Sequence, residues 1–139
     1  MEVLTYLTFD GNCRQAMEFY RTCLGAELYV MPFSEAPAEM SKGVQNASDR
    51  VMHASLTKGT RLLMASDTMP GSALQYGTNF SVCVQCKSLE EIEILFTAFS
   101  EKGKVTMPLE DTFWGARFGM LTDQFGIQWM FNFELPKES

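Results

Sequence analysis

The sequence predicts an α+β fold in which two tandem βαβββ modules form a curved, cup-shaped mixed sheet with the helices outside. Three observations carry that expectation. A strand–helix–strand–strand–strand order can be read twice along the chain, the second copy offset by roughly 75 residues. Both helical segments are amphipathic and carry start and stop signals. The strand segments alternate, with apolar residues on one side and, in several of them, small neutral polar groups on the other, as in sheets covered on one face. At 139 residues the chain reads as a single domain, 1–139, with an internal repeat over about 3–67 and 78–134.

The first copy opens with the strand VLTYLTF (3–9), rich in β-branched and aromatic residues. A helix follows over DGNCRQAMEFYRTCLG, with Asn12 as cap and Gln15 three residues on completing a capping-box pattern. Ala16, Phe19, Tyr20, Cys23 and Leu24 recur at one helical face, and Gly25 supplies the left-handed stop. AELYVMPF (26–33) is the next strand, residues 34–49 a long loop with a short helix near 37–42, and 50–67 a hairpin around Lys58-Gly59. After the loop 68–77 the order restarts with the strand TNFSVCVQC (78–86). The second helix runs over 88–103, with Ser88 and Glu91 as a capping box, Ile92, Leu95, Phe96 and Phe99 on one face, and Gly103 at its end. A strand at 104–108 and a hairpin of 112–123 with 126–134 complete the copy.

Composition excludes several functions. The net charge of −6 and the scattered Lys and Arg leave no basic stripe for nucleic acid. No apolar run approaches the length of a membrane span, and MEVLTYLTFDGN lacks a signal peptide's basic start, so the expectation is a cytoplasmic protein with reduced thiols at 13, 23, 83 and 86. Cys83-Val-Gln-Cys86 ends a strand rather than opening a helix. Residues three apart then face opposite ways, so two small strand side chains are the plainer reading than a redox pair.

Alternation also sorts the strands. In 51–57, Met52, Ala54 and Leu56 form the core side, opposed by Val51, His53, Ser55 and Thr57. In 79–85, Phe80, Val82 and Val84 oppose Asn79, Ser81, Cys83 and Gln85. In 113–121 the fully apolar set Trp114, Ala116, Phe118 and Met120 is expected under the helix, opposite Phe113, Gly115, Arg117, Gly119 and Leu121. In 127–133 the apolar set is Ile127, Trp129, Phe131 and Phe133, opposed by Gln128, Met130 and Asn132. Glycines within this aromatic stretch let a sheet coil or another group approach. The polar sides of these strands would line a hollow for a small molecule.

FDGNCRQAMEFY, MHASL, MASD and GKVTMPLEDTFWGARFGMLTDQFGIQWM together resemble the PhnB-like branch of the vicinal oxygen chelate superfamily, which holds glyoxalases, bleomycin-resistance proteins and extradiol dioxygenases. The resemblance covers about residues 4–133, and TFWGARFGMLTDQFGIQWM is its most specific part. It implies the duplicated βαβββ fold and homodimers with a pocket in or beside the interface. PhnB-like proteins are often labelled 3-demethylubiquinone-9 3-methyltransferase. A doubly wound methyltransferase needs a glycine-rich turn after its first strand, and FDGNCR here has one glycine.

In the enzymes of the superfamily four side chains hold a divalent ion. The resemblance places those positions at Thr5, His53, Asn79 and Met130, of which His53 alone is a ligand type suited to zinc, nickel or iron. No cofactor is therefore expected, and a divalent metal is disfavoured. The expected ligand-facing residues are Thr5, His53, Ser55, Asn79, Ser81, Trp114, Arg117, Gln128 and Met130. His53, the chain's sole histidine, is either a hydrogen-bonded structural residue or an acid–base near neutral pH. Glu110 and Asp111 are either solvated loop acids or groups near the cup's mouth, and Arg61 and Arg117 either hold an anion or stay at the surface or a dimer contact. Loops 34–49 and 68–77 are long enough to act as lids. The leading reading is metal-free binding of a small molecule. The alternatives are a metal-dependent lyase, isomerase or dioxygenase and a metal-free enzyme built on His53.

Overall fold

In the computed structural model of the chain the described residues are 1–35, 49–69 and 71–137. Two compact units divide it, Met1–Gln75 and Tyr76–Ser139. The first contains β1 (Thr5–Phe9), α1 (Cys13–Leu24), β2 (Glu27–Pro32), a single 3-10 turn at Phe33–Glu35, β3 (Val51–Lys58) and β4 (Thr60–Asp67). The second contains β5 (Val82–Gln85), α2 (Leu89–Phe99), β6 (Lys104–Asp111), β7 (Ala116–Thr122) and β8 (Gln128–Glu134). Each unit folds as βαβββ, and the strand orders correspond: β1-β4-β3-β2 and β5-β8-β7-β6. In both, the first and last strands pair in parallel and the other neighbours are antiparallel. The duplication and the fold class are thus as expected. The short helix expected near 37–42 lies outside the described residues.

Each helix covers one side of its own sheet. In the first unit Cys13, Ala16, Met17 and Tyr20 of α1 are buried with Leu7, Phe9, Ala54, Leu56, Leu63 and Ala65 of the strands. The buried stripe of α1 is centred on Met17 and Cys13, with Phe19, Cys23 and Leu24 on its half-exposed flank. In the second unit Ile92, Phe96 and Phe99 of α2 meet Val82, Leu121, Trp129 and Phe131. An aromatic cluster fills that layer, with ring centroids 4.6 Å apart for Phe99–Trp129 and 5.2 Å for Phe99–Phe131.

The helix ends show which local signals suffice. Gly25 takes φ +64° and closes α1 with its N–H on the main chain of Arg21, a turn that a Cβ would strain. At α2 the Ser88 hydroxyl accepts from the Glu91 amide at 3.0 Å, and the Glu91 carboxylate accepts from the Lys87 amide at 2.9 Å. The reciprocal cap is present, its return bond displaced one residue outward. At α1 the local cap fails: the Asn12 side chain makes no capping bond. Asp67, from the far end of β4, replaces it, accepting from the amides of Gly11 at 2.7 Å and Cys13 at 3.0 Å. Its other oxygen accepts from the Val51 amide at 2.8 Å, so one buried carboxylate ties the start of α1 to β3 and β4.

Gly103 does not stop α2 by a left-handed turn; positive φ falls on Lys102, at 57°. Its lack of a side chain serves close packing, since a Cβ there would sit 2.6 Å from the Thr122 carbonyl oxygen. Two strands also differ from expectation. β5 covers Val82–Gln85 only, so residues 78–81 lie before it. β6 extends to Asp111, which leaves Phe113, Trp114 and Gly115 in the turn between β6 and β7.

Candidate functional site

The side of each sheet away from its helix is the surface left for function. In β1, Leu7 and Phe9 are buried on the helix side, and alternation puts Thr5 with them. Tyr6 therefore shares the helix-free side with His53 and Ser55 of β3, although the resemblance singles out Thr5. The Tyr6 hydroxyl and His53 Nδ1 lie 3.3 Å apart in a hydrogen bond, their ring centroids separated by 5.9 Å. Tyr29 and Met31 of β2 stand opposite Ser55 and His53, and Met64 of β4 stands opposite both Tyr6 and Ser55. This side is a patch of aromatic, thioether, hydroxyl and imidazole groups. The rule that would have found Tyr6 is alternation, applied from the buried Phe9 backward.

In the second unit the helix side of β7 is the reverse of the sequence expectation. Gly119 and Leu121 are buried, and a Cβ on Gly119 would sit 2.7 Å from the Phe96 ring. Arg117 is on the same side, where it donates to Glu93 of α2 at 2.7 Å and to Asp111 of β6 at 3.1 Å. Those two carboxylates raise the guanidinium's pKa and hold it as a strand-to-helix tie rather than a waiting anion site. Asp111 is thus a paired strand residue, and Glu110, opposite Phe118, also belongs to β6 rather than to a loop. The apolar set Phe118 and Met120 is half-exposed on the helix-free side with Gln128, Met130 and Asn132 of β8. The opposite set of β8, Trp129 and Phe131, is buried as expected.

A hollow of about 520 Å³ opens at one end of this helix-free side, walled by Trp114, Asn132, Glu134 and Lys137. Trp114 is 57% exposed and lies edge-on to Phe118 with centroids 6.1 Å apart. Asn132 donates to the Gln85 side chain at 3.1 Å, which sets the orientation of its amide. Gln128, another expected ligand-facing residue, spends its Nε2 on the carbonyls of Gly77 at 3.0 Å and Phe80 at 2.9 Å. It pins the segment that leads into β5. Asn79 and Ser81 lie in that segment, outside any strand, with Asn79 exposed and Ser81 half-exposed. Met130 is on the helix-free side of β8, with Met120 and Cys83 as its neighbours across the sheet. Arg61 reaches the Met64 sulfur at 3.8 Å.

The thiols are not activated. Burial, with Asp67 adding to it, pushes Cys13 up to about 12. Burial raises Cys83, and burial with Glu91 and Cys83 pushes Cys86 up to about 11. Cys83 of β5 is exposed, and Cys86, just past the end of that strand, is buried. Neither has the depressed pKa of a reactive thiol. The residues at the superfamily's metal positions do not fit a divalent ion: Thr5 is on the helix side of its strand, Asn79 lies outside any strand and Met130 offers only a thioether. Among the described residues no three His, Cys, Asp or Glu side chains come together as a metal-binding group.

Two βαβββ units of matching topology, each with a helix on one side of its sheet and a mixed polar and aromatic side left open, define the class to which this protein is assigned. The chain belongs to the Glyoxalase/Bleomycin resistance protein/Dioxygenase superfamily, whose family model matches residues 3–131. It is 34% identical to Protein YjdN of Escherichia coli strain K12 over 140 residues, 95% of each chain. The crystal structure of protein PA1353 from Pseudomonas aeruginosa superposes with a TM-score of 0.86 at 41% identity, covering 98% of this chain and 99% of that one. A Bacillus cereus PhnB protein, described as a putative 3-demethylubiquinone-9 3-methyltransferase, matches at 25% identity and a TM-score of 0.77 over 96% and 99% of the two chains. No helix among the described residues is long and apolar enough to cross a membrane.

Proposed function

We propose that this chain binds a small organic molecule in the hollow at the end of its second sheet's helix-free side, without the help of a divalent metal. The observation that carries the reading is that hollow, of about 520 Å³, walled by Trp114, Asn132, Glu134 and Lys137. Its size falls in the range of small-molecule sites, and it combines an aromatic wall with an amide, a carboxylate and an ammonium group. The donors at the superfamily's metal positions argue in the same direction, since a thioether and neutral oxygens hold zinc, nickel or iron poorly.

The test is a thermal-shift screen of tag-free protein against a metabolite panel and, separately, divalent metals. Saturating binding at one hundred times Kd stabilises by about 2.7 kcal/mol. A hit should quench or shift the emission of Trp114, the exposed tryptophan of the two, because Trp129 is buried. Trp114→Ala should weaken a hit about tenfold or more while leaving Tm nearly unchanged. A divalent ion that co-purifies stoichiometrically and is required for turnover would overturn the reading.

One observation favours a second reading. The Tyr6–His53 hydrogen bond gives the imidazole an orienting partner, which an acid–base residue needs. A metal-free reaction at His53 predicts turnover that His53→Ala abolishes and Tyr6→Phe reduces. Binding alone predicts that ligand affinity survives His53→Ala. Pairing into a homodimer belongs to the same proposal through the family resemblance, and sedimentation equilibrium measures it.

A further inference from the structure

We infer that the helix-free side of the second sheet is a binding site for a soft monovalent cation of the copper(I) or silver(I) class, built from a row of sulfur side chains that crosses β7, β8 and β5. The register sets out the row. Met107 of β6 stands opposite Met120 of β7, Met120 opposite Met130 of β8, and Met130 opposite Cys83 of β5. Two thioethers and one thiol, Met120, Met130 and Cys83, are therefore consecutive neighbours on the side that α2 leaves open, and Met107 stands next in line on β6 between two register shifts. Met120 and Met130 are half-exposed, Met107 is 40% exposed and Cys83 is exposed, so an ion in solution reaches the row.

Directly opposed residues on one side of a sheet have Cβ atoms about 4.5–5.5 Å apart. Metal–sulfur bonds are about 2.3 Å long, and methionine has three rotatable side-chain bonds. Neighbouring thioethers in the row can thus converge on one ion without movement of the main chain. Thioether and thiolate sulfur select copper(I) over zinc or magnesium, because a soft, polarizable donor suits a soft ion. The thioethers carry no proton to lose, so Met120 and Met130 are ligands at any ordinary pH. The same chemistry that makes Met130 a poor ligand for a divalent ion makes it a suitable one here. This site is separate from the metal-free binding proposed above, because its ligands are sulfurs and that reading concerns the hollow at Trp114.

The experiment titrates tag-free, reduced full-length protein with silver(I) and, under anaerobic conditions, with copper(I) in competition with a chromogenic copper(I) chelator. Parent protein should take up one ion per chain and show a raised Tm, while zinc(II) leaves Tm unchanged. Met120→Leu combined with Met130→Leu keeps volume and hydrophobicity at two half-exposed positions, so circular dichroism should be unaltered while affinity falls at least tenfold. Cys83→Ser should lower affinity by a smaller factor and retain the stoichiometry. An unchanged affinity in the double methionine variant, or complete loss of binding in Cys83→Ser alone, would mean thiol binding only and would overturn the inference. So would a parent protein that binds no ion, whatever the small-molecule screen returns.

Discussion

Asp67 and Asp123 are the two buried charged groups among the described residues, and each carries a local structure on one carboxylate. Asp123 accepts from the amides of Phe125 at 2.8 Å and Ile127 at 3.0 Å, and from the Trp129 indole at 2.8 Å. The turn between β7 and β8 and the largest core side chain are thereby fixed by one residue. Removing a buried acceptor leaves its donors unsatisfied, at about 1–3 kcal/mol for each group. Asp123→Ala should therefore cost about 3–5 kcal/mol in denaturant unfolding, and Asp67→Ala about 2–4 kcal/mol, while Asn12→Ala costs well under 1 kcal/mol because its side chain caps nothing. Little of this was legible in the sequence. Asn12 and Gln15 have the composition of a capping box, but the acceptor that α1 uses is 54 positions away along the chain.

At the scale of elements, β7 shows why alternation alone leaves a strand's orientation open. Both of its sets contain apolar residues, and Trp114, Ala116, Phe118 and Met120 look the more suited to a core. The helix settles the matter. Gly119 gives the Phe96 ring its space, and Arg117 joins Glu93 of α2 to Asp111 of β6. Gly119→Ala should destabilise by about 1–3 kcal/mol in equilibrium unfolding, since a methyl there meets a packed aromatic ring. A charge reversal at Glu93 should leave the fold intact and lower stability by no more than about 1 kcal/mol, because that carboxylate is exposed. The CVQC strand yields a different test. With Cys83 exposed and Cys86 buried, peptide mapping after mild oxidation should find no disulfide joining them, and Cys83 should be alkylated before Cys86.

For the chain as a whole, stability should depend on alkaline pH through its buried thiols. The folded-state pKa values of Cys13 and Cys86 stand above their ordinary 9.0, at about 12 and about 11. A raised folded value means that this stabilisation is complete below pH 9, where both states are protonated. It is lost as pH rises, because only the unfolded thiols ionise easily. Between pH 9 and 11 stability should fall steadily as pH rises, by on the order of 1 kcal/mol per pH unit for Cys13 and less for Cys86. Cys13→Ala should flatten that part of the Tm profile, and an equal slope in parent and variant would contradict it. At this scale the family resemblance, the order of the segments along the chain and the duplication were all readable, because each depends on segment order and residue type; the strand order within each sheet came from the structure.

The chain's own pattern determined two βαβββ copies, the positions of both helices, the Gly25 stop and the capping box at Ser88. Those features follow from neighbours in sequence and from periods of 2.0 and 3.6 residues. Tertiary structure alone decided that Tyr6 rather than Thr5 meets His53, that Asp67 caps α1, that Arg117 lies under a helix, and that Met120, Met130 and Cys83 form one row. Each of these depends on which side of a strand is covered and on which strand lies beside it. Sequence distance carries neither fact; the packing of α1 and α2 on their sheets fixes both.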